Sequence, residues 1–320
     1  MPEYQAKSGF DGAVVCLPAV SGFSLADPDT GEYGYLSGCI IEKEVSKKMK
    51  KQVVNSKRPV LRGILFPLML FILFPSPAAA AGDTAIAELF CRKGVEGTLV
   101  LSSLKGGQRF VHNEERAKRR FPVASTFKIL NTLIALEEKV ATGKDHLIRW
   151  DGRRHDFPDW NRDQTLESAF RVSCVWYYQE LARRIGADTY RRYLGESCYG
   201  KLDEPFDATT FWLDGSLQVS AMEQVSFLRK VCLRSLPFSD TTYESLREIM
   251  LAEKTQDYAL RAKTGWATSA TPAVGWYVGY VETSADIWFF ALNIDIPDPQ
   301  ELPLRQVLVR EVLRSKNIID

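Results

Sequence analysis

The chain is predicted to fold as an α+β domain, one antiparallel sheet flanked by helices, with a separate helical lobe inserted between its strands. Three observations predict this. Beyond residue 81, alternating Val- and Leu-rich runs come first, stretches of helical period follow, and aromatic or β-branched runs return before a closing helix. The first and last segments then share one sheet. Composition agrees with a globular protein, at 45% hydrophobic and 25% charged residues. Lys+Arg total 41 against 40 Asp+Glu, so no broad basic surface points to nucleic acid.

The first 81 residues stand apart. The run ILFPLMLFILF at 64–74 is too short for a membrane span, which needs about 20 apolar residues. Lys47, Lys48, Lys50, Lys51, Lys57, Arg58 and Arg62 precede it, and PSPAAAAG follows. A basic region, a short apolar core and small residues describe a secretory signal peptide over 49–81, cut after Ala80 or Ala81. Met49 suits its start, so residues 1–48 are expected to be a non-native or disordered extension. Residues 82–320 are expected to form the folded domain.

Within that domain, 97–104 (GTLVLSSL) alternates as a strand does, KGG at 105–107 makes a hairpin turn, and 108–112 returns. Residues 126–139 carry Phe127, Ile129, Leu130, Leu133, Ile134 and Leu136, the pattern of a largely buried helix. Helices are expected over 165–184, 188–195 and 221–232. Strands are expected over 258–263, 275–282 and 286–295, and a last helix over 304–315.

Of six cysteines, Cys16 and Cys39 fall in the extension; Cys91, Cys174, Cys198 and Cys232 remain. Export would permit disulfides, but four cysteines allow three pairings and buried free thiols are the simpler expectation. With three histidines, no H-E-x-x-H and no Cys/His cluster, no metal site is expected.

In FPVASTFKIL, at 121–130, Ser125 and Lys128 are spaced three apart where an apolar helix begins. That spacing puts both on one face. A helix N-terminus favours developing negative charge, and burial lowers a lysine pKa. A neutral amine can take a proton from serine or react with carbon dioxide, and either makes Ser125 a nucleophile. By itself S-x-x-K is weak, since Ser102 and Lys105 fit it too, but they run into the hairpin turn. Roughly 135 residues after Lys128 comes Lys263–Thr264–Gly265, and S-x-x-K with K-T-G, joined by S-D-N, is a set found in class A β-lactamases and penicillin-binding proteins. No S-D-N occurs; Ser173-x-Val175 stands instead, followed by Tyr199–Gly200, FWLDG at 211–215 and LPLR at 302–305.

The ordered set STFK, S-x-V, Y-G-x, FWLDG, KTG and LPLR resembles the class D (OXA-type) β-lactamases over nearly all of 82–320. WNRDQTL, YQELARRIG, GWYVGY and FFALNID agree. The resemblance implies a penicillin-binding transpeptidase-like fold. It makes Ser125 the acylating nucleophile and Lys128 a lysine carboxylated by carbon dioxide, the only consumed co-reactant, with no other cofactor. It implies that Trp212 holds the carbamate, Val175 walls its pocket, and Ser173 and Lys263 move protons toward the leaving nitrogen. By the same resemblance, Thr264 and Arg305 would bind the substrate carboxylate, with Gly265 giving room, and the backbone N–H groups of Ser125 and Trp266 would form an oxyanion hole. Lys201 replaces the family's usual Asn after Tyr–Gly, and shaping of a turn is the expected role there.

Small β-lactams are the expected partners, with no nucleic acid and no stable membrane association after signal cleavage. The expected setting is a Gram-negative periplasm and the expected state a monomer or homodimer. Two rivals share the motifs: a penicillin-sensing domain, which stays acylated, and a peptidoglycan peptidase, which lacks the carbamate. Sustained hydrolysis separates both from a β-lactamase.

Overall fold

The computed structural model describes residues 83–320. The extension expected over 1–48 and the signal peptide expected over 49–81, with Cys16 and Cys39, lie outside them. Helix α1 (Thr84–Lys93) starts on Asp83, whose carboxylate accepts from Ile86 N at 3.2 Å, and stops at Gly94, φ 62°. Strands β1 (Gly97–Ser103) and β2 (Arg109–His112) make the expected hairpin. After α2 (Glu114–Lys118) and the two-residue β3 (Phe121–Pro122), a 3₁₀ turn, Ala124–Phe127, runs directly into α3 (Lys128–Glu137). The helix expected from 126 therefore begins with this tighter turn, and Ser125 sits on the turn.

The short pair β4 (Leu147–Ile148) and β5 (Gln164–Thr165) leads to α4 (Leu166–Arg171), α5 (Val175–Ile185) and α6 (Ala187–Ser197). One helix was expected over 165–184; there are two. Helix α4 ends with Ser173 in the left-handed region, φ 56°. Ser173 N donates to Phe170 O at 3.2 Å and Cys174 N to Ala169 O at 2.8 Å. This pair of bonds is the Schellman ending, with a serine where glycine is usual. A small sheet follows from β6 (Lys201–Leu202) and β7 (Leu217–Val219), which also pairs with β3. Then come α7 (Ala221–Cys232) and α8 (Asp240–Ile249). Four more strands follow, β8 (Leu251–Lys254), β9 (Tyr258–Ala267), β10 (Ala273–Thr283) and β11 (Ile287–Ile296), before α9 (Leu304–Ser315).

The main sheet is antiparallel in the order β2-β1-β11-β10-β9-β8, so the first and last strands of the domain do share it. Strand period 2 divides its side chains between two cores. Leu260, Tyr277, Leu292 and Ile294 pack with α1 and α9. Trp276, Val278, Phe289 and Ala291 face the larger core with α3, α5 and α7. Strand β9 runs on to Ala267, so Lys263–Trp266 lie inside a strand and not at its end. Pairing with β8 stops near Arg261, where Leu251 is opposite and Ala262 N donates to Met250 O at 3.0 Å. The rest of that edge faces the 3₁₀ turn of Ser125.

Among the described residues, Cys91, Cys174 and Cys232 are free thiols. Only Cys174 of these is buried, and Cys198 is exposed, so the expectation of buried thiols holds for one position. No helix among the described residues is long and apolar enough to cross a membrane.

Candidate active site

The first half of the site is built by the 3₁₀ turn and α3. The turn is held from three directions. Val123 N donates to Leu217 O at 3.1 Å, the Trp276 indole donates to Pro122 O at 2.9 Å, and Thr126 Oγ1 donates to Val123 O at 2.7 Å. Ala124, just before Ser125, carries φ 49°, a strained value for a residue with a Cβ. Three residues on, Lys128 is 0% exposed, and its Nζ lies 2.9 Å from Ser125 Oγ. Burial lowers its pKa from the ordinary 10.5 to about 7. The amine sits 5.0 Å from the centre of the Tyr178 ring, whose hydroxyl is held by Thr132 at 2.8 Å.

Trp212 stacks on Phe127 at 5.8 Å between centroids, next to Lys128 in the chain. Its Nε1 is buried without a partner, as is Nδ2 of Asn131, one turn beyond Lys128. Buried donors are nearly always satisfied. A buried lysine amine of lowered pKa and two partnerless buried N–H donors on neighbouring residues are chemically compatible with a carbamate on Nζ. Val175 is half-buried as the first residue of α5, beside Cys174, whose pKa burial pushes up to about 11.

The second half comes from the helical lobe and β9. Lys263 Nζ donates to Ser173 Oγ and, at 3.0 Å, to Thr264 O; it also lies 5.4 Å from the Phe170 ring centre. Burial first, then the charges of Lys128 and Arg305, hold its amine well below the ordinary value. The Schellman ending of α4 is what turns the Ser173 hydroxyl toward the sheet. Two indoles brace that bend: Trp160 Nε1 donates to Val172 O at 3.0 Å, and Trp176 Nε1 to Trp160 O at 2.9 Å.

Arg305, at the start of α9, donates from Nη1 to Gly265 O and from Nε to Leu302 O, both at 2.6 Å. Burial lowers its guanidinium to about 10. Two glycines make these approaches possible. A Cβ on Gly275 would lie 2.8 Å from Arg305 Cδ, and one on Gly265 would lie 3.1 Å from Thr126 Cγ2. Thr264 and Trp266 are half-buried on the same strand, and the Trp266 Nε1 is buried without a partner.

Ser125 with Lys128, and Ser173 with Lys263, are thus brought into direct contact, and Thr264, Gly265, Trp266 and Arg305 share one strand neighbourhood. Lys201 is different. It is exposed, ion-paired with Asp203 at 2.9 Å, and pairs with Gln218 across β6 and β7, while Gly200 before it needs φ 67°. Lys201 thus opens β6, and the positive-φ turn residue is Gly200 before it. Phe170 and Gln224 were not singled out from the sequence, being helix residues with no local signal; Tyr178 and Gly275 open the stretches YQELARRIG and GWYVGY, but no role was assigned to either. Among the described residues, no group of three or more His, Cys, Asp or Glu side chains is arranged to hold a metal ion.

Residues 97–314 match the family model for the penicillin binding protein transpeptidase domain. The chain is 42% identical to the β-lactamase OXA-48 of Klebsiella pneumoniae over 224 residues, 70% of this chain and 84% of that protein. It is 40% identical to OXA-20 of Pseudomonas aeruginosa over 235 residues, 72% of this chain and 87% of that one. Among solved structures, the class D β-lactamase FUS-1 (OXA-85) of Fusobacterium nucleatum subsp. polymorphum superposes with a TM-score of 0.73 at 38% identity, covering 75% of this chain and 100% of the other. The class D β-lactamase YbXI from Nostoc gives 0.72 at 37%, covering 73% and 99%.

Proposed function

The chain belongs to the class D β-lactamases, and we propose that within this family it opens penicillin-type substrates through an acyl-enzyme on Ser125, with a carboxylated Lys128 as general base. It is a serine β-lactamase, a hydrolase of the β-lactam amide bond that confers resistance. The observation that carries the finer reading is the 2.9 Å contact between Ser125 Oγ and a fully buried lysine amine. An ordinary serine is a poor nucleophile, and a base within hydrogen-bond reach is what activates it. Near neutral pH much of the Lys128 amine is unprotonated, as carboxylation requires. The carbamate, once formed, supplies a general base; the Trp212 indole N–H would hold it and Val175 would close the pocket.

Ser125 Oγ adds to the lactam carbonyl carbon, and the C–N bond breaks as the nitrogen takes a proton. Ser173 Oγ would deliver that proton, a reading supported by its contact with Lys263 Nζ. The backbone N–H groups of Ser125 and Trp266 would receive the developing oxyanion. Preorganised donors of that kind are worth about 2.7–4 kcal/mol each. The substrate carboxylate is assigned to Thr264 and Arg305. Lys263 adds to this, because its own ammonium is disfavoured by burial and by neighbouring cations until an anion arrives. Export also belongs to this reading, with 49–81 removed and the enzyme in the periplasm; a mature N-terminus near residue 82 on secreted protein supports it, and one at Met1 overturns it.

The test uses purified protein with benzylpenicillin. Many turnovers per enzyme, and a transient acyl mass lost in Ser125→Ala, are expected. A single stoichiometric burst with no turnover would overturn hydrolysis and leave a sensor or a penicillin-binding protein.

A further inference from the structure

We propose that Gln224, on α7, is a positioning residue that fixes the gap between the nucleophile turn and β9, and through that gap the oxyanion hole; this rests on the assignment of that hole to the Ser125 and Trp266 backbone N–H groups. Gln224 is 0% exposed and lies outside the set of side chains that reach substrate. Its Nε2 donates to Thr126 Oγ1 at 2.8 Å, and Thr126 Oγ1 in turn donates to Val123 O at 2.7 Å. Its Oε1 accepts from the Tyr199 hydroxyl at 3.3 Å. One amide thus ties together the turn carrying Ser125 and the residue before Gly200.

Thr126 is the hinge of the argument. It follows Ser125 directly, and its methyl and backbone N lie close against Gly265: a Cβ there would lie 3.1 Å from Thr126 Cγ2 and 3.3 Å from Thr126 N, with Trp276 Cβ of the adjacent strand at 3.2 Å. The two proposed oxyanion donors flank this contact, one on each side of the gap. A movement of Thr126 changes their separation directly, and a misplacement of about 1 Å can cost on the order of 10²-fold in rate.

The support behind Gln224 is rigid. It sits in the first turn of α7, which begins with a capping box: Ser220 Oγ receives Glu223 N at 3.2 Å, and Glu223 accepts from Ser220 N at 2.8 Å. Arg120 holds the same carboxylate at 3.0 Å through Nε. Helix α7 packs on β1, β10 and β11 of the main sheet. The amide therefore transmits the sheet's position to the turn, and buried hydrogen bonds of this kind specify one geometry.

The experiment is a cycle on the purified protein: Gln224→Leu, Thr126→Val and the double variant, read by kcat/KM for benzylpenicillin and by affinity for an aryl boronic acid, a mimic of the tetrahedral intermediate. Each single variant should lose at least tenfold in both readouts, and the double should be no more than threefold worse than the worse single. Thr126→Ser, which keeps the hydroxyl but not the methyl, should recover most of the activity. Gln224→Leu within threefold of the parent, or losses that multiply in the double variant, would overturn the proposal. If Gln224→Leu does not fold, the comparison of Thr126→Ser with Thr126→Val decides, and equal activity overturns it. Failure of the assigned function is distinguishable, since the parent protein itself would then show no turnover.

Discussion

Arg305 reaches past Gly275 to donate its Nη1–H to Gly265 O at 2.6 Å, so a guanidinium from the last helix is seated on the strand that carries Lys263 and Thr264. The absent side chain at 275 is what leaves the passage open. Arg305→Ala should raise KM for benzylpenicillin about 10–100-fold, the scale of a lost charge-assisted hydrogen bond, with kcat changed less. Gly275→Ala should raise KM in the same direction and also lower stability by about 1–3 kcal/mol, because the new methyl meets Ile296 as well as Arg305. Steady-state kinetics and denaturant melts check both; an unchanged KM in Arg305→Ala would remove Arg305 from the binding of the carboxylate.

Lys128 is a cost to the fold. Its pKa is about 7 in the folded protein against an ordinary 10.5. Between those values the unfolded chain holds a proton that the folded one lacks, so this group's contribution to stability rises with pH across the window. Below about pH 7 both states are protonated, and the folded state carries the buried ammonium at full cost. With carbon dioxide removed, so that the free amine is what is compared, Lys128→Met should therefore raise the melting temperature, most clearly at pH 7 and below. Activity should fall about 10²–10⁴-fold, the worth of a positioned base. A destabilised Lys128→Met protein would contradict the burial argument.

The same value sets a pH–rate prediction. With carbon dioxide removed, kcat/KM should fall as pH drops through about 7, where Lys128 takes up its proton. Added bicarbonate should move that acid limb to lower pH, because carboxylation draws on the neutral amine. A limb that ignores bicarbonate would argue against the carbamate.

Ser173 combines a strained backbone with a hydroxyl that contacts Lys263, and one substitution separates them. Glycine is at ease at φ 56°, so Ser173→Gly should keep or slightly raise the melting temperature. It removes the hydroxyl that contacts Lys263 Nζ, and turnover should fall at least about tenfold, within the range of lost proton transfer. Full activity in Ser173→Gly would take the hydroxyl out of the proton path.

Much of this site is legible in the sequence because its chemistry is carried by short, locally spaced groups. Ser125 and Lys128 are one helical turn apart, Lys263–Trp266 are consecutive, and Trp212 and Arg305 stand inside compact motifs. The hairpin of β1 and β2, the strands β10 and β11 and the helix α9 are equally legible, since each has a clean period and turn residues at its ends. What could not be seen depends on contacts remote in the chain. The break at Ser173 has no glycine or proline to announce it; the φ 56° value is enforced by bonds back to Ala169 and Phe170. Strand β8 (LAEK) shows no apolar alternation because it is an edge, and α8 (DTTYESLREI) opens with polar residues that mask its buried face. Gln224 reads as one more polar residue near a helix start, and its bond to Thr126 spans 98 positions.

The most direct test of the central claim is the turnover of benzylpenicillin by the purified protein, first in buffer stripped of carbon dioxide and then after bicarbonate is added. A buried, neutral Lys128 that works as a carbamate predicts slow turnover that recovers severalfold with bicarbonate, and Trp212→Phe should need more bicarbonate to recover. Turnover that is equal in both buffers would contradict the carbamate and leave the free amine of Lys128 as the base.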